Sequence, residues 1–319
     1  MTVKELIARS KAAQAAFAFA TQEQADAAAR AICKVVYDNA EKLGPMAAEE
    51  SRMGSEQDKI AKCRNKSALI WESLKGKKSC DIINRIEERR MIEVAKPVGV
   101  VASIIPSTNP VVTPMSNGAF ALKCRNSVIF APHPRAVKCT KLLVEMFRAE
   151  LKKLGLPEDL VLGLEEVSND LTSELMSAAD MVVATGGMGM VKAAYSSGKA
   201  AIGVGQGNVQ CIIDEDADIA DAVGKIIIGR AFDNGLICLG EQTVFVPEDK
   251  EAEFVAEMKK QGGYLVEGEE NVDKLREGLF PGGGAFSRVV VGMFADQVSD
   301  EIGLGAPKGT RVLFAKAKA

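Results

Sequence analysis

The sequence predicts an α/β protein built on a doubly wound parallel sheet, followed by a second α/β region and interrupted by a β-hairpin arm. Three observations lead there. From Val98 onward, short continuous apolar runs alternate with amphipathic stretches, as a parallel sheet covered on both faces requires. Glycines cluster where two of those runs end, and Ser79 to Pro97 breaks the rhythm with a loose alternation of apolar and charged residues that reads as two strands.

Taken in order, residues 1–75 read as helical throughout. Thr21 followed by Gln24 is a capping-box signal that opens a helix through about Leu43, and Ser55 with Asp58 opens another carrying Trp71, the only tryptophan. Ser79 to Pro97 is then expected as a protruding hairpin. GVVASII, SVIFAP, LVLGLEE and MVVAT read as strands. Between them TPMSNGAFALKCR, RAVKCTKLLVEMFRAELKKLG and a stretch through Leu175 read as helices. After Asp214 come the helix DIADAVGKIIIGRAF, a loop carrying Cys238, the strand QTVFVPE, and two further helix and strand pairs ending in RVLFAKAKA. PGGG, residues 281–284, suits a flexible loop.

Composition narrows the function. With 319 residues, 47% of them apolar and 26% charged, the chain is long enough for a large core and two domains. A net charge of −3 with both signs interspersed gives no basic face for nucleic acid. The opening MTVKELIARSKAAQAAFAFATQEQ lacks a signal-peptide core and no window approaches a membrane span, so a cytoplasmic protein without a membrane partner is expected. Seven scattered cysteines without CxxC spacing argue for reduced thiols rather than a disulfide frame or zinc site. The single histidine, His133, excludes a histidine-rich metal centre.

MVVATGGMGM places Thr185, Gly186, Gly187 and Gly189 at a strand end where a helix begins. Glycine lets the backbone approach an anion, and the unpaired amides of a helix start stabilise negative charge, so cofactor pyrophosphate is the natural ligand. The spacing is neither GxGxxG nor the P-loop form, and close packing of helix on strand explains the same residues. A second run, GVGQGN, with Gly203, Val204 and Gly205, follows the apolar AAI. Two such runs bracketing one helix favour a ligand crevice.

Core filling is the ordinary reading of any cysteine. Cys238, however, lies in FDNGLICLGEQ, after an Asn-Gly turn signal on a loop leading out of a helix. In a reduced protein with a dinucleotide crevice, that is where a covalent oxidoreductase keeps its nucleophile.

The segments IIPSTNPVVTP, FAPHPRA, ATGGMGMVKAAYSSGKAAIGVGQGN and FDNGLICLGEQ, in this order, resemble the CoA-acylating branch of the aldehyde dehydrogenase superfamily, from the N-terminal helices to the last residues. KVVYDNAE, VAKPVGVVA, TNPVVTPM and KLREGLF are most similar to members that reduce succinyl-CoA to succinate semialdehyde; acetaldehyde-forming members are more distant. The resemblance implies an aldehyde-dehydrogenase-like fold: a Rossmann-type dinucleotide-binding domain over residues 1–207 with the arm at 79–97, and the N-terminal part of a catalytic domain over 208–319. It implies NAD or NADP as cofactor, coenzyme A as co-substrate, and a homo-oligomer, dimer or tetramer.

Residue by residue, the resemblance makes Cys238 the thiolate that attacks the aldehyde and carries the acyl group until CoA takes it. Asn109 is implied as a donor to the oxyanion, with Thr108 as the alternative because the loop matches the wider superfamily ambiguously by one residue. On the residues alone, Asn109 is equally a turn residue before Pro110. Cofactor contacts are implied for Ile105, Pro106, Ser107, Thr185, Gly186, Gly187, Gly189, Gly203, Val204 and Gly205. His133 and Pro134 are implied near the cofactor or CoA, against a solvated loop reading for His133. Hydrolytic relatives carry a glutamate base in the region of Gly203. Its absence here favours acyl transfer to the CoA thiol over attack by water.

Relatives of this branch continue beyond RVLFAKAKA with the rest of the catalytic domain, a glutamate that orients the nicotinamide ribose and a strand that joins a partner's sheet. The expectation is therefore a C-terminally truncated chain that binds cofactor better than it transfers hydride, with a noncatalytic dinucleotide- or CoA-binding fragment as the alternative.

Overall fold

The structure, a computed structural model, describes residues 1–317, which fall into two compact units. One comprises Met1–Ser51 and Lys59–Gln206; the other comprises Arg52–Asp58 and the chain from Gly207 onward.

The first unit opens with helices. In α1 (Val3–Phe17) and α2 (Gln22–Asp38) the caps Thr2 and Thr21 each form a capping box, with Glu5 and Gln24 respectively. The second helix stops at Asp38 rather than near Leu43. Asn39 Nδ2 donates to the Val35 carbonyl at 2.8 Å, and that side-chain bond competes with helix propagation. The chain restarts as α3 (Ala40–Ser51) and continues in α4 (Glu56–Leu74). Next, β1 (Asp81–Ile86) and β2 (Met91–Ala95) pair antiparallel as the expected hairpin. Arg125 holds its root, donating to Asp81 Oδ1 at 3.2 Å and to the Ala95 carbonyl at 3.4 Å.

Then the α/β pattern begins: β3 (Val100–Ile104), α5 (Val112–Lys123), β4 (Ser127–Ala131), α6 (Val137–Lys153), β5 (Val161–Gly163), α7 (Asn169–Ala178), β6 (Met181–Thr185), α8 (Met188–Tyr195) and β7 (Ala200–Val204). The five strands form one parallel sheet in the order β5-β4-β3-β6-β7. Alternation along the strands splits the core in two. Val101, Val128, Phe130 and Val161 join a cluster with Ile32, Leu122 and Phe147 of the helices on one face. Val100, Ala102, Ile129 and Val182 join Leu6, Leu175 and Ala194 on the other. Both faces are covered, which is why the central strands read as unbroken apolar runs. The chain passes from β3 to β4 and β5 on one side, then crosses back to place β6 on the other side of β3. That reversal makes the β3/β6 boundary a topological switch point.

In the second unit β8 (Val209–Ile212) pairs parallel with β9 (Glu241–Phe245), connected through α9 (Ile219–Ala231). After α10 (Glu251–Lys260), β10 (Gly263–Leu265), α11 (Glu269–Leu279) and α12 (Ala295–Ile302), the strand β11 (Val312–Phe314) pairs parallel with β10. One helix more is present than the two expected helix and strand pairs require. Pro281 starts a short turn that separates α11 from α12, with Gly282 and Gly283 at φ 62° and 69°. Ile219, Val223, Ile227, Phe254 and Met258 form this unit's core. Among the described residues, no helix is long and apolar enough to cross a membrane.

Candidate active site

Because the five strands of the first unit run in one direction, their carboxyl ends share one edge. There the sheet gathers the segments expected to hold cofactor. Past β3, the Ile105 N–H donates to the Ala131 carbonyl at 2.9 Å, so Ile105 and Pro106 stay buried while Ser107, Thr108 and Asn109 emerge half-buried. Past β4, His133 orders a turn into α6: its Nδ1 accepts from the Arg135 N–H at 3.1 Å and its carbonyl from the Ala136 N–H at 2.8 Å. Pro134 beside it is exposed. The loops after β3 and β6 flank the switch point, where ligands of open α/β sheets bind.

The glycines divide into two kinds. Gly203 and Val204 belong to β7 itself rather than to a loop after it, paired with Ala184 and Thr185. A Cβ on Gly203 would come within 2.7 Å of Val191 and 2.8 Å of Tyr195, and one on Gly205 within 2.6 Å of Met188 Sδ. These two glycines let α8 lie against the sheet edge, and Tyr195 Oη accepts the Gly203 N–H at 3.1 Å. Gly186 spends its N–H on the Val204 carbonyl at 3.0 Å, which removes that amide as a donor to phosphate. Gly187 and Gly189 differ: nothing lies within 4 Å of a Cβ on either. Gly187 caps α8 and Gly189 sits inside its first turn, where the N–H groups of Met188 and Gly189 have no carbonyl four residues back within the helix. Packing therefore accounts for Gly203 and Gly205 but not for Gly187 and Gly189. Open backbone beside a helix N-terminus fits a dinucleotide pyrophosphate.

Asn109 is not an isolated turn residue. Its Oδ1 accepts from Lys62 Nζ at 2.9 Å, and its Nδ2 donates to Thr108 Oγ1 at 3.3 Å. Sequence reading missed Lys62, which looks like one more charge on an N-terminal helix.

In the second unit, Cys238 is exposed on the loop between α9 and β9. The loop's base is an unusual turn: Asp233, Asn234 and Gly235 lie in succession at φ 49°, 53° and 72°. Asp, Asn and Gly are the residues that tolerate this left-handed region best. Side-chain bonds hold the turn. Asp233, fully buried, accepts the Ser55 N–H on Oδ1 at 3.1 Å, and its own N–H donates to Asp58 Oδ2 at 3.0 Å. The Gly292 carbonyl accepts both Asn234 Nδ2 and the Gly54 N–H at 2.9 Å. The DNG signal in the sequence marked the turn; nothing in it pointed to Ser55 and Asp58 as its anchors.

The loop borders a cleft of about 710 Å³ in the same unit, lined on that side by Asn234, Gly235, Leu236, Glu241 and Gln242. Arg230 also lines it; burial pushes its guanidinium pKa down and the Glu241 carboxylate opposes that shift. The remaining thiols are poor nucleophiles. Cys33, Cys63, Cys80 and Cys139 are buried. Burial raises the pKa of Cys33 to about 12 and pushes up those of Cys139 and Cys211, and the surrounding protein also raises that of Cys124, which is exposed on one side.

Residues 1–274 match the aldehyde dehydrogenase family. The chain is 46% identical over 318 residues to a succinate-semialdehyde dehydrogenase (acetylating) of Clostridium kluyveri, covering 100% of this chain and 70% of that protein. It is 42% identical to a sulfoacetaldehyde dehydrogenase (acylating) of Bilophila wadsworthia, covering 98% of this chain and 68% of the relative. Among solved structures, an acetylating aldehyde dehydrogenase from Geobacillus thermoglucosidasius superposes with a TM-score of 0.94 at 37% identity, over 99% of this chain and 70% of that one.

Proposed function

The chain belongs to the aldehyde dehydrogenase family, among its acylating oxidoreductases, and from that premise we propose that it interconverts succinyl-CoA and succinate semialdehyde through a thioester on Cys238. The observation that carries this reading is the Cys238 loop: an exposed thiol on a turn pinned at its base, in a chain whose other thiols are buried or, at Cys124 and Cys211, raised in pKa by their surroundings.

In the oxidative direction the Cys238 thiolate adds to the aldehyde carbon, forming a C–S bond and turning the carbonyl oxygen into an oxyanion. Asn109 or Thr108 donates a hydrogen bond to that oxygen. NAD or NADP would be held by the Gly187 and Gly189 backbone and the start of α8, with Ile105 to Ser107, His133 and Pro134 on neighbouring loops, and supplies the hydride acceptor when bound. The resulting Cys238 thioester is cleaved by the thiol of CoA: its sulfur forms the new C–S bond to the acyl carbon, the bond to Cys238 Sγ breaks, and the thiol proton passes to the departing Cys238 sulfur or to solvent. Position 203 offers no carboxylate to activate water, and a side chain there would strike Val191 and Tyr195.

The two relatives compared by sequence above are named for aldehydes whose far end carries an anion, which supports a substrate of that class. The test is NADH or NADPH oxidation by the purified chain with succinyl-CoA, acetyl-CoA and the CoA thioester of sulfoacetate. A preference for succinyl-CoA is expected; equal or better use of acetyl-CoA would move the assignment to acetaldehyde. Dinucleotide and CoA binding without turnover would make it a binding fragment.

A further inference from the structure

Helix α4 contributes two lysines, Lys59 and Lys62, that are 3% and 5% exposed. An ammonium so buried must be hydrogen-bonded to be tolerated, and Lys62 Nζ reaches Asn109 Oδ1 at 2.9 Å. This contact fixes more than a distance. An ammonium has three donors and no acceptor, so the amide atom facing it must be oxygen, and the two ends of the Asn109 amide are not interchangeable. Nδ2 is turned the other way and donates one of its hydrogens to Thr108 Oγ1 at 3.3 Å. A hydroxyl that accepts in this manner has its own proton left to give.

We propose that Lys62 is the positioning residue of the oxyanion donors: by holding the Asn109 amide, and through it the Thr108 hydroxyl, it keeps both groups available to donate to a carbonyl oxygen. The relay runs from ammonium to amide to hydroxyl in one direction, and each bond polarises the next. It serves whichever of Asn109 and Thr108 touches the oxygen. A cavity of only about 10 Å³ lies among Lys59, Lys62, Thr108 and Asn109, room for no more than a single water.

The inference rests on the acylating reaction proposed above, and its test has one arm that does not. In the active enzyme, Lys62→Met is expected to lower kcat on the order of a hundredfold, as loss of an oxyanion donor does. KM for the acyl-CoA and for NADH should stay nearly unchanged, and Lys62→Arg, which keeps a charged donor, should recover most of the rate. An unchanged kcat in folded Lys62→Met overturns the proposal, as does a rise in KM without a fall in kcat. The second arm is a neutron or atomic-resolution crystal structure of wild type and variant. The wild type should show Oδ1 toward Lys62, and Lys62→Met should show the Asn109 amide turned or split between two orientations. An amide that keeps its orientation without the ammonium overturns the proposal whatever the activity. Should Lys62→Met not fold, Lys62→Gln gives the same reading, since a neutral amide no longer dictates which end of Asn109 it faces. If wild type fails to turn over acyl-CoA, the function proposed above falls, while the structural arm still decides the role of Lys62.

Discussion

The backbone N–H of Asp233 donates to Asp58 Oδ2 at 3.0 Å, tying the turn that precedes Cys238 to the first turn of α4. Three successive left-handed residues cost energy that surrounding bonds must offset. Asp58→Ala leaves a buried N–H without this acceptor and is expected to destabilise the protein by about 1–3 kcal/mol, measured by urea unfolding, and to lower acylating turnover without weakening dinucleotide binding. Asp58→Asn, which keeps an acceptor, should lie near wild type. Unchanged stability in Asp58→Ala would mean that the turn holds itself.

Cys238 is expected to be the first thiol alkylated by iodoacetamide at neutral pH, and Cys238→Ala to lose aldehyde oxidation while binding dinucleotide normally. The informative competitor is Cys124, the other exposed thiol. Its surroundings raise its pKa, so at any given pH it carries less thiolate than an ordinary cysteine. Cys33, at about 12, requires strong alkali. Mass spectrometry of a short labelling time course decides; equal early labelling of Cys124 and Cys238 counts against the assignment.

The two kinds of glycine should respond oppositely to alanine. Gly203→Ala forces a methyl against Val191 and Tyr195 and is expected to cost about 1–3 kcal/mol. Gly189→Ala meets open space inside a helix and should stabilise the fold by about 0.5–1 kcal/mol. It should nevertheless weaken dinucleotide affinity if the backbone there faces pyrophosphate. Calorimetric titration beside thermal melts separates the two; Gly189→Ala with wild-type affinity would remove the phosphate role from that turn.

With aldehyde and NAD but no CoA, turnover is expected to stall near one equivalent of NADH per site, because nothing at position 203 activates water against the thioester. Stopped-flow absorbance followed by acid analysis reads this directly. Steady release of free acid would show that another group serves as base.

The hairpin exposes Ile82 and Ile83 on β1 and Met91, Ile92 and Val94 on β2. A two-stranded ribbon with apolar side chains and open edges is normally covered by a partner, and we expect a second copy of the chain there. Exchanging Ile82 for Lys and Ile92 for Asp should shift light scattering from an oligomeric mass to that of one chain, with little change in the fold. A wild-type chain that scatters as a monomer at high concentration would reject the arm as an interface.

The sequence by itself determined which segments form the parallel sheet, because a strand buried on both faces leaves an unbroken apolar run and covering helices leave an amphipathic one, and both patterns are local. It determined the hairpin for the same reason, and it singled out Cys238 by the residues beside it. The tertiary structure alone separated the glycines into those that packing requires and those it does not. GVGQGN and TGGMGM look alike in one dimension, but Gly203 lies under Tyr195 and Val191 while Gly187 and Gly189 face open space. It also decided the end of α2, where Asn39 leaves helical geometry with both its backbone N–H and its side-chain amide on the Val35 carbonyl before the chain restarts at Ala40. Above all it supplied the anchors: Asp58 for Asp233 and Lys62 for Asn109 are hydrogen bonds between residues far apart in the chain. A hydrogen bond acts over about 3 Å whatever the separation along the sequence, so periodicity and spacing carry no trace of it until folding brings donor and acceptor together.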